Sequence, residues 1–148
     1  MASNHTPEYG LNQWSLEDSV VMEEFNTDNR NIEQALLALK AALPKFQTGS
    51  YVGTGTCGES NPKSLTFSFL PKLVLIMQGA SAASNMGIMT CMQGVPAAMV
   101  SYDWPNTTDF KPYIVPLTWA GNTLSWQGID ASRNYNQEGL TYYYMAIG

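Results

Sequence analysis

The sequence is short of charge, of histidine and of cysteine. Asp, Glu, Lys and Arg together make up 13% of the 148 residues, about half the usual share. The single histidine is His5, so neither a Ser-His-Asp set nor a histidine-rich metal site can be assembled. The two cysteines, Cys57 and Cys91, lack CxxC spacing and sit among small or apolar neighbours. Buried free thiols are expected, although two cysteines leave a pairing open. No metal and no cofactor are expected. A basic stripe is also missing. Residues 1–43 carry seven acids and two bases, and residues 44–148 carry five of each. An acidic first part and a neutral second part do not fit a nucleic-acid binder. Residues 73–102 hold no charge, but Gln78, Asn85, Gln93 and Pro96 interrupt them, and insertion into a membrane is not expected. No signal peptide is expected either, because His5, Glu8 and Asn12 break any early apolar run.

Residues 22–43 are the most regular stretch. Met22, Phe25, Asn29, Ile32, Leu36, Leu39 and Leu43 alternate three and four residues apart. This is heptad a/d spacing, which keeps one stripe of a helix facing a partner helix. Asn29 falls at an a position, where a buried amide fixes register at some cost in stability. Ile32 at d and Leu36 at a favour three or four strands over a parallel pair. Ser15 followed by Glu17 and Asp18 reads as a capped helix start, and Pro44 is a stop signal. A helix over 15–43 would span roughly 40 Å. Ala35 and Leu37 widen the stripe, so packing of the helix on its own head is the alternative.

The leader, residues 1–14, has Tyr9, Leu11 and Trp14 among polar residues. Pro7 and Gly10 argue against a regular element there. A tryptophan in an irregular leader is expected to dock, either on the helix start or in a larger assembly. Residues 44–50 read as a linker and 51–148 as the head.

Within the head, residues 51–58 run small and β-branched with three glycines. No lysine stands at the phosphate position and no helix pattern follows, which excludes a nucleotide-binding loop. A strand with bulges is the reading. Residues 65–69 alternate, and 73–77 are wholly apolar, as in a fully buried strand. Residues 86–92 and 97–102 read as two more strands. Residues 114–119 and 123–127 flank Ala120, Gly121 and Asn122, a hairpin turn. Leu117, Trp119, Leu124 and Trp126 are expected to meet in the core. Residues 140–147 form a strand apolar on both faces, which belongs inside a sandwich or at a subunit interface. Seven or eight short strands without helices between them predict an antiparallel β-sandwich.

No catalytic constellation stands out, and the chain is not expected to be an enzyme. Two of the five head acids, Glu59, Asp103, Asp109, Asp130 and Glu138, acting as a glycosidase pair is the weaker alternative. Two loops put rings beside small polar groups: Asp103, Trp104, Asn106 and Asp109, then Asp130, Arg133, Tyr135 and Asn136. Rings supply apolar area for a sugar face, and carboxylates or amides orient its hydroxyls. Ordinary exposed loop residues are the alternative reading. Asn106-Thr107-Thr108 also matches a glycosylation acceptor, which has little meaning without a secretory route.

Three segments together resemble a known family. TPEYGLNQW followed by FNTDNRNIEQAL is similar to the N-termini of tail-fibre and tail-tip proteins of phages and prophages of Gram-positive bacteria. YVGTGTCGESNPKSLTFSFLPKLVLI resembles a module of those proteins, with its glycine-rich start, S-N-P and an alternating strand ending in P-K. LTWAGNTLSWQ and NQEGLTYYYMAIG resemble the ending of that module. Cys57 departs from the pattern, which has an aromatic there, and residues 79–113 carry no resemblance. The resemblance implies a homotrimeric fibre subunit of a phage tail or phage-tail-like particle. Its N-terminus, with Tyr9, Leu11 and Trp14, would attach to a tail or baseplate protein, and its head would face a host-surface glycan. Production in the bacterial cytoplasm and release by lysis would follow. A purely structural tail or baseplate component is the alternative.

Overall fold

The computed structural model describes residues 1–79, 87–100 and 113–148. The chain divides into two compact units, residues 1–43 and 44–148.

The first unit is built on helix α1, Met22–Ala42. At 21 residues it is about 32 Å long. It starts later than Ser15. Asp18 accepts hydrogen bonds from the backbone N–H groups of Ser3 and Ser15 and from the Ser3 hydroxyl. The Asp18 N–H donates to Ser15 O at 3.1 Å. These residues therefore close a turn on the leader instead of opening a helix. The helix begins after extended Val21, with no side-chain cap and with Glu23 and Glu24 in the first turn. It ends as expected: Leu43 is extended, the conformation imposed by the following proline.

The leader does contain a regular element. Strands β1 (Asn4–His5) and β2 (Asn12–Gln13) pair antiparallel. Pro7 and Gly10 occupy the connection, closed by Thr6 and Leu11, so neither interrupts a strand.

The second unit is an all-antiparallel β structure of two four-stranded sheets. One holds, in spatial order, β3 (Phe46–Val52), β10 (Thr141–Ile147), β5 (Leu73–Gln78) and β6 (Ile88–Met92). The other holds β4 (Lys63–Thr66), β9 (Thr123–Trp126), β8 (Tyr113–Ala120) and β7 (Ala97–Val100). The expected linker is therefore mostly strand, because residues 46–50 belong to β3. The expected strand at 51–58 stops at Val52.

The two sheets share one sandwich-like core. Val74, Ile76, Met89, Cys91, Tyr142 and Ala146 are buried from the first. Ala98, Val100, Val115, Leu117, Leu124 and Trp126 are buried from the second. The hairpin reading of 120–122 holds: Ala120 pairs with Thr123, and Gly121 takes a φ of 59° at the first central position. Of its four large apolar groups, three are fully buried and Trp119 packs against them half-buried. Strand β5 differs from its expectation. Val74 and Ile76 face the core, whereas Leu73, Leu75 and Met77 lie on the outer face.

Candidate functional site

Sequence reasoning singled out three groups of residues. The first lies on α1. Phe25 is 53% exposed and Leu36 60%, and Met22, Ile32, Leu39, Leu43 and Asn29 are also exposed. The leader packs on the neighbouring flank of the helix and leaves this stripe open. Asp28, the one buried helix residue, accepts from the Asn12 backbone N–H and from Asn12 Nδ2 at 2.8 Å. Glu24 accepts from Trp14 Nε1 at 3.2 Å and from the Ala2 N–H at 3.1 Å. Trp14 and Leu11 are thus half-buried in the leader's own packing, while Tyr9 is exposed.

The second group is the loop between β9 and β10. Asp130 Oδ1 accepts the Arg133 N–H at 2.9 Å, and Asp130 Oδ2 stands 3.3 Å from Arg133 Nε. The Arg133 guanidinium lies 3.6 Å over the Tyr113 ring, a cation–π stack. Asn136 and Tyr135 are placed differently from the sugar-facing expectation. Asn136 is fully buried; its Oδ1 accepts the Thr54 N–H at 3.0 Å and its Nδ2 donates to Thr56 O at 2.9 Å. Neighbouring Asn134, equally buried, accepts from the Gly128 N–H and donates to Thr56 O. Tyr135 is buried with a positive φ of 47°. Three core rings secure the loop backbone. Tyr51 donates to Tyr135 O at 2.6 Å, Trp126 Nε1 donates to Asn134 O at 2.8 Å, and Tyr142 accepts the Gln137 N–H at 3.0 Å. Burial first, and Tyr142 second, push the Tyr51 and Tyr135 hydroxyls above their ordinary range. Buried amides with complete hydrogen bonding hold a loop's shape; here Asp130 and Arg133 are the members that reach the surface. Asn134 was not among the expected residues, and only its place between Arg133 and Tyr135 hinted at it.

Asp103, Trp104, Asn106 and Asp109 lie outside the described residues, as do residues 80–86; the rest of the 80–96 stretch holds β6 and the turn after it. Among the described residues, no three of His, Cys, Asp and Glu come together to hold a metal ion.

A third surface was legible only in part. Along β10, Tyr142, Tyr144 and Ala146 face the core while Tyr143, Met145 and Ile147 face outward. Cross-strand register extends this outer face into rows. Tyr143 pairs with Ser50 and Met77, and Met77 pairs with Ile88. Met145 pairs with Thr48 and Leu75, and Ile147 with Phe46 and Leu73. A groove of about 460 Å³ opens in the middle, between Thr48 and Ser50 on one side and Met77 and Ile88 on the other. Apolar groups on both faces of β10 were the sequence signal for it. Its extension over β5 was hidden by the reading of that strand as buried on both faces.

Comparisons with protein-family models, with curated proteins and with solved structures found no match to this chain.

Proposed function

We propose that this chain is an oligomeric, most simply trimeric, tail-fibre or tail-tip subunit of a phage or phage-tail-like particle. Its N-terminal unit attaches to the tail or baseplate and its head recognises a host-surface glycan. The observation that carries the oligomeric part is the open a/d stripe of α1. Six apolar side chains on one helix face, left uncovered by the chain's own leader, are what a coiled-coil seam looks like in a lone copy. Burying them would contribute on the order of 10 kcal/mol per chain before ordering entropy. The fibre assignment rests on the resemblance of the leader, the 51–76 segment and the C-terminal hairpin and strand. Glycan recognition is assigned to the 102–109 loop, with Asp130 and Arg133. Repetition in an oligomer lets weak single sites act together.

A second reading, a structural component without receptor binding, is favoured by one observation. Tyr135 and Asn136 are turned inward, and Asp130 and Arg133 satisfy each other.

Light scattering on the intact chain and on Ile32→Asp tests the oligomer. A trimer that becomes a monomer supports it; a monomer in both overturns it. Glycan binding by Asp103→Ala and Trp104→Ala, at unchanged mass, tests the head. Loss of binding supports recognition; a chain that assembles into particles but binds no glycan supports the structural reading.

A further inference from the structure

We infer that the outer face of the β3-β10-β5-β6 sheet is where the heads of neighbouring copies of this chain pack against one another, an inference that rests on the oligomeric reading above. The two outer faces of the head differ in chemistry. On the other sheet, hydroxyls at Ser64, Thr66, Thr118, Thr123 and Ser125 make up half of the outward positions, with Ala97, Met99, Ile114, Pro116 and Ala120 as the rest. On this one large apolar groups predominate, Phe46, Tyr143, Met145, Met77, Ile88 and Met92 among them, with Thr48, Ser50 and Thr90 between them and no charged residue. An exposed apolar patch running across four strands marks an interaction surface.

Three observations select a copy of the same chain as the occupant. The apolar rows extend from Phe46 on one edge strand to Met92 on the other, well beyond the central groove, so a small apolar molecule would leave most of them uncovered. Identical surfaces meeting one another repel if they carry net charge, and among the described residues no acid or base stands at an outward position of these four strands. Finally, only Pro44 and Lys45 separate the end of the seam, Leu43, from Phe46 in the sequence. That is about 10 Å of backbone, so copies joined through their seams carry this strand close to the junction. The groove between small Thr48 and Ser50 and the larger Tyr143 and Met77 offers a recess for a protruding side chain of the neighbour.

Methionine oxidation in the intact chain reads the face directly, because Met77, Met92 and Met145 lie on it and Met99 lies on the opposite sheet. Met99 is 68% exposed against 44% for Met77 and 40% for Met145, so a lone chain would oxidise all three at similar rates. In the oligomer, Met77 and Met145 are expected to oxidise roughly five-fold or more slowly than Met99, and to lose that protection in monomeric Ile32→Asp. Thr48→Lys, at an exposed position, is expected to restore oxidation of Met77 and Met145 with the β circular dichroism unchanged. An oligomer of full mass in which Met145 oxidises at the pace of Met99 overturns this inference and leaves the seam standing. A monomeric wild type overturns both. Protection that persists in a monomer overturns it too, because another occupant then covers the face. Protection in Ile32→Asp that is still oligomeric supports the face and sinks the seam.

Discussion

Tyr144 stands directly opposite Gly49 in the β3–β10 ladder, and its ring occupies the space that a Cβ at position 49 would need. The glycine lets the ring lie flat across the edge strand and reach Phe67, edge to face at 5.8 Å. An aromatic covering a strand glycine in this way pins the register of the pair. Gly49→Ala is therefore expected to lower stability by about 1–3 kcal/mol through overpacking. Urea unfolding of Gly49→Ala, Tyr144→Ala and the double variant checks it. The double should be less destabilised than the sum, because the clash disappears with the ring.

Asn136→Ala leaves the part-buried Thr54 N–H without its acceptor and removes one of the two amide donors, Asn134 and Asn136, that the Thr56 carbonyl accepts. A loss of about 1–3 kcal/mol is expected, together with faster hydrogen exchange at Thr54. An unchanged melting temperature would mean that the rings alone hold the loop.

Much of this was legible in the chain. The apolar stretches at 140–147 and 73–77 and the glycine turn at 120–122 each located a strand, because short apolar runs bounded by turn residues are strand signals; the alternating 65–69 stretch did so in part, since β4 stops at Thr66. The helix stop at Pro44 was local chemistry and was read correctly. Its start was not, because Asp18 is bound by Ser3, which is distant in sequence. Likewise Asn136 is drawn inward by Thr54 and Thr56, eighty or more residues away, and the Tyr135 ring packs inward on Tyr142 while its carbonyl is held by Tyr51. Polar loop composition says nothing about which amides point in.

Asp18 is held down to about 2 from its ordinary 3.8, chiefly by the Ser3 hydroxyl and next by the Ser15 backbone N–H. A depressed acid contributes to folding above its unfolded value and loses that contribution as pH falls through its folded one. The leader is therefore expected to stay closed at pH 4 and to open as pH falls through about 2. Amide exchange at Ser3 and Ser15 measures this, and Asp18→Asn should show the open leader already at neutral pH.

Burial pushes the Cys91 thiol up to about 12, and no sulfur partner constrains it. Cys57 is only half-buried. The expectation of two buried free thiols thus holds for Cys91 alone. Alkylation of the native protein at pH 8 is expected to modify Cys57 and spare Cys91, since the thiolate is the nucleophile. Mass spectrometry of peptides after brief labelling separates them; equal labelling would show that the core opens readily.

The placement of β10 between β3 and β5 also governs how the head can form. Residues 141–147 follow every other strand in the chain, yet they are the inner member of their sheet and bond to both neighbours. Until they emerge from the ribosome, Phe46–Val52 has no ladder partner and Leu73–Gln78 has one open edge. Such long-range closure is slow, and unpaired apolar edges waiting for it are prone to aggregate. The β3-β10-β5-β6 sheet must therefore close late, after synthesis of β10, while the helix before it can form as soon as it is made.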